Sequence, residues 1–128
     1  MSVVISILFS VPVEASQTKR FTESECFDCE WENTAIFYKS SSSDIIGRVV
    51  YGFDEFFIDE DYCWTQFYLF SHQAGICNDK GEYYDSVVRA GKWSEEEIEH
   101  KGDEVQYIVW LNSDAKVKYY TIYDTTVK

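Results

Sequence analysis

The residues with the most distinctive chemistry in this sequence are its four cysteines, Cys26, Cys29, Cys63 and Cys77. The first two form a C-x-x-C motif, which is a redox centre when a helix N-terminus or nearby cations favour the thiolate. Here Glu25, Asp28 and Glu30 surround the motif with negative charge, which disfavours a reactive thiolate. Structural zinc sites usually have two close pairs of ligands, whereas the last two cysteines are fourteen residues apart. We therefore expect structural disulfides and no metal.

The pairing of the cysteines is open at this stage. If residues 63–70 and 72–77 form a hairpin, Cys63 and Cys77 lie roughly opposite each other and can form a bridge. Cys26 and Cys29 then pair locally, or each of them pairs with one of the other two. An even number of cysteines in a short exported chain favours disulfides. Each bridge across a long loop would contribute about 3 kcal/mol of stability.

No motif in the sequence predicts an enzyme. The two histidines, His72 and His100, do not belong to a nucleophile motif. The serines at 40–43 lack the strand–turn–helix context of a nucleophile elbow. A glycosidase needs a pair of carboxylates, but such a pair is not diagnostic in a chain with 23 acidic residues. We predict a protein that is not an enzyme and has no cofactor.

The charge of the chain limits its partners. Its net charge is −12, with 23 acidic residues against 11 Lys and Arg. Phosphate backbones and anionic membrane surfaces are repelled by such a protein, which argues against nucleic acid. Opposite charge steers association, so the composition favours a cationic partner. The alternative is that the negative charge only keeps the protein soluble.

The N-terminus is typical of an export signal. Residues 3–13 are an apolar to neutral run, and V-E-A-S at 13–16 is a small-residue cleavage pattern. The run is too short to cross a bilayer, which takes about 20 residues. No Lys or Arg precedes it, and the alternative is a buried first strand. We expect residues 1–15 to be a signal peptide, and the mature protein to be secreted or periplasmic with no transmembrane segment.

The secondary structure that must position the cysteines and the charged residues is predicted to be mainly β-strands. Aromatic residues make up 18% of the chain, which suits half-buried strands. From Ala35 onward, short β-branched or aromatic runs alternate with Gly or acidic residues, as in consecutive short strands. We expect a single β domain over 16–128.

The C-terminal part of the chain predicts two further elements. Ser94 and Glu97 have the spacing of a capping box, which predicts a short helix over 94–100. Two β-prone runs flank N-S-D-A at 112–115 and predict a hairpin. In its first strand, period two places four apolar residues on one face: Val105, Tyr107, Val109 and Leu111.

Residues 35–77 resemble the SH3-like domains of bacterial exported and cell-wall proteins. The matching features are a first strand at 35–38, a polar loop at 40–44, a hydrophobic pair with glycine at 45–47, Gly52, Trp64 and a closing Gly75-Ile76 step. The acidic segment 53–61 departs from the family pattern, and residues 78–128 have no counterpart. The resemblance implies a small SH3-like barrel, which the C-terminal hairpin and the short helix extend.

The same resemblance implies a ligand groove between the 40–44 loop and the acidic segment. Its residues are aromatic and acidic: Tyr38, Tyr51, Phe53, Asp54, Glu55, Asp59, Trp64 and Tyr68. The ligand would be a cell-wall peptide or glycan, whose amines complement the carboxylates. The alternative is a secreted or periplasmic inhibitor or immunity protein that blocks a basic enzyme such as a lysozyme-like hydrolase, because charge complementarity speeds association. A third possibility is an exported effector or adhesin with a host protein as partner.

Overall fold

The computed structural model describes residues 16–24 and 27–124, and this part of the chain consists of β-strands joined by turns and loops. The strands are β1 (Gln17–Glu23), β2 (Trp31–Lys39), β3 (Ile45–Asp54), β4 (Glu60–Phe67), β5 (His72–Asn78), β6 (Gly81–Tyr84), β7 (Trp93–Glu99), β8 (Val105–Leu111) and β9 (Val117–Asp124). The predicted mainly β fold is confirmed. Within those residues, no helix is long and apolar enough to cross a membrane. The predicted signal peptide at 1–15 lies outside them.

The strands form two antiparallel sheets that share one core. Sheet I has the strand order β1-β8-β5-β6, and sheet II has the order β7-β4-β3-β2-β9. Aromatic rings from both sheets meet between them. Phe21 of β1 stacks on Tyr51 of β3 with ring centroids 5.1 Å apart, and Tyr107 of β8 lies 5.0 Å from the same Tyr51 ring. The protein is thus a two-layer β structure with its apolar side chains between the layers.

The apolar face predicted for β8 packs into this core. All four of its residues, Val105, Tyr107, Val109 and Leu111, are fully buried. The predicted C-terminal hairpin, however, is wrong. Strand β8 pairs with β1 and β5 in sheet I, whereas β9 pairs with β2 in sheet II. Residues 112–116 therefore cross from one sheet to the other, because β8 belongs to sheet I and β9 belongs to sheet II.

The predicted helix over 94–100 is also wrong, because β7 pairs with β4 along its whole length. The Ser94 hydroxyl does not cap a helix. It accepts a hydrogen bond from the Ala74 N–H at 2.9 Å and lies 3.1 Å from the Asp85 carboxylate, to which it donates. Glu97 accepts a hydrogen bond from a tryptophan of β4. Both residues of the predicted capping box therefore make contacts between strands.

Residues 35–77 do not stand apart as a barrel. Their strands β2, β3 and β4 lie in sheet II and β5 lies in sheet I, and β9 and β7 extend sheet II on either side. Gly47 and Gly52, two of the features that carry the SH3-like resemblance, lie opposite Phe67 and Tyr62 in the β3–β4 ladder. A Cβ atom at Gly52 would lie 2.7 Å from the Tyr62 hydroxyl. The missing side chain leaves room for the aromatic ring of the neighbouring strand.

The bridge between Cys63 and Cys77, one of the pairings left open by the sequence, is not formed. Cys63 points from sheet II into the core, where it is fully buried and its thiol lies 3.6 Å from the carbonyl oxygen of Ile108. Cys77 lies beside Glu82 on the side of sheet I that faces away from the core. Both are free thiols, because β4 and β5 belong to different sheets and do not form the expected hairpin. Cys26 lies outside the described residues, so a local pairing with Cys29 stays a prediction.

Candidate ligand-binding face

One face of sheet II packs on the core, and we call the opposite face the outer face. Successive side chains of a strand point to opposite sides, so the strand register places outward residues side by side. One row across the sheet consists of Trp93, Gln66, Arg48, Ile36 and Tyr120. The next row consists of Glu95, Trp64, Val50, Thr34 and Ile122. The outer face therefore combines aromatic rings with polar and charged groups.

Gln66 is the centre of a hydrogen-bonded group in the first row. Its Oε1 accepts hydrogen bonds from Arg48 Nη2 at 3.2 Å and from the Tyr68 hydroxyl at 3.5 Å, and its Nε2 donates to the carbonyl oxygen of Gly91 at 3.2 Å. The Arg48 guanidinium lies over the Trp93 ring, 5.0 Å from its centroid, as a cation–π contact. These contacts hold two aromatic side chains in fixed positions at the surface.

Trp64 joins this aromatic part of the outer face to an acidic part. Its indole Nε1 donates to Glu97 Oε2 at 3.2 Å, and its ring lies 5.3 Å from that of Tyr62. The Tyr62 hydroxyl donates to Glu32 Oε1 at 2.8 Å. Burial raises the pKa of Tyr62 far above its ordinary value, and the charge of Glu32 raises it further. The hydroxyl is therefore a permanent donor.

Carboxylates gather at the end of the outer face where β3 passes into β4. Asp54 is opposite Glu60 in the ladder, and Glu60 is opposite Glu99. Partial burial raises the pKa of Glu60, and the negative charges of Glu97 and Asp54 raise it further. Glu99 is already paired with Lys80 at 2.7 Å, whereas Glu60 is repelled by Glu97 and Asp54, and a cationic group bound beside Glu60 would relieve that repulsion.

The structure brings together some of the predicted site residues. Three of the aromatic ones lie on the outer face: Tyr38, Trp64 and Tyr68. Asp54 lies at its acidic end. Glu55 and Asp59 are in the exposed loop between β3 and β4, beyond the edge of this face.

Tyr51 and Phe53 do not belong to a surface site. They are 1% and 0% exposed and lie between the sheets, so they cannot contact a ligand at the surface. The predicted groove is not formed either, because the 40–44 loop precedes β3 and the acidic loop follows it. With ten residues in β3, these loops are separated by about 30 Å at the usual rise of a strand.

Sequence reasoning missed Trp93, Arg48 and Gln66, which form the polar and aromatic centre of the outer face. Trp93 was missed because the predicted helix over 94–100 hid the alternation of β7. The outward residues of this strand are Trp93, Glu95, Glu97 and Glu99, and the inward residue Ser94 is fully buried. The residues of β7 do alternate between the two faces of the sheet. Because Ile98 is the only apolar residue among the inward ones, however, the alternation of hydrophobicity is weak.

A second polar group lies inside the protein. Asp61 is fully buried, and its carboxylate accepts a hydrogen bond from Asn78 Nδ2 at 2.8 Å and lies 2.9 Å from His100 Nδ1. The Tyr107 hydroxyl donates to the carbonyl oxygen of Gly52 at 3.1 Å and lies 3.5 Å from the same carboxylate. Burial raises the pKa of Asp61, although the hydrogen bonds from Asn78 and His100 oppose this effect.

Phe27 covers this internal group. Its ring stacks on His100 with centroids 4.3 Å apart. It also lines a cleft of about 310 Å³ with Ser24, Asp28, Gly102 and Asp103. Among the described residues, no three His, Cys, Asp or Glu side chains are grouped to hold a metal ion. The contacts of Asp61 and His100 are made within the protein, and we assign the pair a structural role.

Comparison with known proteins found no relative of this chain. No protein-family model matches it, and no curated protein or solved structure is significantly similar to it.

Proposed function

We propose that this protein is an exported binding module, not an enzyme, and that its ligand is a cell-wall glycan or glycopeptide with free amines. The observation that carries the proposal is the position of Trp64 between the aromatic and the acidic part of the outer face, with its indole N–H on Glu97. The site we propose is therefore the outer face of sheet II, and not a groove between loops.

The aromatic part suits the sugar rings of such a ligand. Trp and Tyr combine apolar area with one polar tip, and the flat faces of sugar rings carry C–H groups that pack on them. Trp64 and Trp93 lie on neighbouring strands, Tyr68 directly follows the strand of Trp64, and Arg48 and Gln66 place hydrogen-bonding groups among them. Polar groups placed between aromatic rings are a common arrangement in small-ligand sites.

The acidic part suits the amines of a wall peptide. Glu97, Glu60 and Asp54 are close enough that two of them raise the pKa of the third. A bound ammonium group would replace this repulsion by attraction. The net charge of −12 also steers a cationic ligand towards the protein.

Two further predictions support the same proposal. The resemblance of residues 35–77 to bacterial SH3-like domains implies a cell-wall ligand, and the apolar N-terminal run implies export. We retain both as predictions. The proposal places the site on the outer face of sheet II, whereas the resemblance implies a groove between two loops.

The test is co-sedimentation of the mature chain with purified insoluble peptidoglycan, at low and at raised salt. We expect saturable retention that survives raised salt, and a loss of about tenfold or more in affinity for Trp64→Ala combined with Trp93→Ala. The matched control is Tyr123→Ala. This side chain is 70% exposed and lies on the other side of sheet II, next to Asn33 in the register.

Two results would contradict the proposal. One is equal retention of the double variant and the wild type. The other is retention on immobilised lysozyme but not on peptidoglycan, with loss at raised salt, which would favour the inhibitor of a basic enzyme. In both cases near-ultraviolet circular dichroism of the variants has to show that the core is intact.

A further inference from the structure

The loop between β3 and β4, residues 55–59, presents apolar side chains to solvent. Phe56 is 79% exposed, Phe57 is 86% exposed and Ile58 is 50% exposed. Single exposed apolar residues are common in soluble proteins, whereas contiguous ones mark interaction sites. The three side chains are consecutive and lie at the tip of a loop, so no other element of the described chain covers them.

Hydrogen bonds hold the backbone of this loop in place. The Glu55 N–H donates to Glu30 Oε2 at 3.0 Å, and the Phe56 N–H donates to Asp54 Oδ1 at 3.4 Å. At the other end of the loop, the carbonyl oxygen of Asp59 accepts a hydrogen bond from the His100 N–H at 2.8 Å. A loop that is already ordered loses less entropy when it binds.

The charges around the apolar tip define its partner. Asp54 and Glu55 precede the tip, Asp59 and Glu60 follow it, and residues 54–60 contain no Lys or Arg. Anionic membranes repel such a loop. An apolar cleft with lysine or arginine at its rim would bury the rings and pair with the carboxylates, and this combination matches the apolar centre and polar rim of protein interfaces.

We infer that the 55–59 loop is a docking element for a folded basic protein, and that Phe56 and Phe57 insert into an apolar cleft of that protein. The carboxylates on either side then meet the basic rim of the cleft. The two rings lie beyond the edge of sheet II and therefore outside the proposed glycan site, which shares only Asp54 and Glu60 with the docking element. A loop variant that loses its protein partner should therefore still bind peptidoglycan.

The test is isothermal titration of the mature chain with two basic proteins that have open clefts, lysozyme and ribonuclease A. We expect saturable binding to at least one of them. Phe56→Ser combined with Phe57→Ser should weaken it by about tenfold or more, because buried aromatic anchors dominate interface energies. Tyr123→Ser is the matched control, since it removes an aromatic ring of similar exposure elsewhere, and it should bind like the wild type.

The acidic residues are tested separately. Glu55→Gln combined with Asp59→Asn should slow association by about tenfold at low salt and should have little effect at raised salt. The control is Glu104→Gln combined with Asp114→Asn, which removes the same charge from two other exposed positions.

Three results would overturn the inference. They are binding to neither basic protein, equal binding by the Phe56/Phe57 variant and the wild type, and wild-type binding to phosphatidylcholine vesicles that the same variant loses. The last result would identify a membrane surface as the partner. Because the rings are exposed, the urea unfolding midpoint of the variant should match that of the wild type, and this match shows that a loss of binding is not a loss of folding.

Discussion

Trp64 and Glu97 are joined across the β4–β7 pair by a hydrogen bond of 3.2 Å from the indole Nε1 to the carboxylate Oε2. The two residues are on neighbouring strands in adjacent rows of the register, where Trp64 is opposite Glu95 and Glu97 is opposite Tyr62. This contact fixes the orientation of an aromatic ring and of a carboxylate at once. It therefore sets the geometry at the boundary between the two parts of the outer face.

The first prediction separates the ring of Trp64 from its N–H group. Trp64→Phe keeps an aromatic ring and removes the donor to Glu97, and Trp64→Ala removes both. We expect Trp64→Phe to lower affinity for peptidoglycan by about threefold, and Trp64→Ala to lower it by about tenfold or more. The two dissociation constants are measured by co-sedimentation. Equal losses for both variants would show that the N–H group, and not the ring, is the important feature.

The second prediction concerns the close approach of the chains at Gly52. Gly52→Ala places a Cβ atom where the Trp31 carbonyl oxygen and the Tyr62 ring already lie. Overpacking of this kind costs about 1–3 kcal/mol of unfolding free energy, measured by urea titration. Because the outer face would shift with Tyr62, affinity for peptidoglycan should fall as well.

Gly91→Ala is the comparison for Gly52→Ala. Gly91 has a φ of +88°, and a Cβ atom added at this position would meet no other heavy atom within 4 Å. Only the backbone strain of about 1 kcal/mol remains, so this variant should lose less stability than Gly52→Ala. A larger loss at Gly91 than at Gly52 would contradict the packing argument.

Much of the strand content follows from local patterns. The loop at 40–44 separates β2 from β3 as predicted, and the four apolar residues of β8 are buried because their period of two matches a half-buried strand. The partners of the strands do not follow from such patterns. Residues 112–115 look like a hairpin turn. Whether β9 pairs with β8 or with β2 of sheet II is decided by the packing of distant residues such as Phe37 and Tyr119.

The site was only partly predictable for the same reason. Strand β3 has apolar residues on both faces, with Val49 buried and its neighbour Val50 only half-buried. The sequence alone therefore does not tell which side of β3 faces the core, and it does not separate Tyr51 and Phe53 from true surface aromatics. Trp93 could be assigned to the outer face only after β7 was known to pair with β4. The pattern of β7 does not reveal this pairing, because a buried inward position is a serine and not an apolar residue.

The third prediction follows from the different positions of Cys63 and Cys77. Burial raises the pKa of Cys63 to about 12, and partial burial together with Glu82 raises the pKa of Cys77. In the folded protein a thiol reagent should modify Cys77 slowly and Cys63 not at all, and both should react in urea. Peptide mapping by mass spectrometry identifies the modified residues. A mass corresponding to a Cys63–Cys77 bridge would contradict the fold.

The last prediction uses the buried carboxylate of Asp61, whose pKa is raised by burial. A carboxyl group with a raised pKa in the folded state stabilises the protein fully below its unfolded pKa of about 3.9, and this stabilisation is lost as the pH rises through the folded pKa. Asp61→Asn cannot titrate. The unfolding free energy of the wild type minus that of Asp61→Asn should therefore decrease as the pH rises from about 4. The decrease should be about 1.4 kcal/mol for each unit by which the folded state raises the pKa of Asp61.

Urea titrations at a series of pH values measure this difference, and Asp103→Asn is the control because its side chain is exposed. The curves of wild type and control should run parallel. A gap between wild type and Asp61→Asn that widens with rising pH would mean that His100 and Asn78 stabilise the charged carboxylate by more than burial destabilises it. The charged Asp61 carboxylate would then strengthen the fold at neutral pH, and its removal would be most costly there.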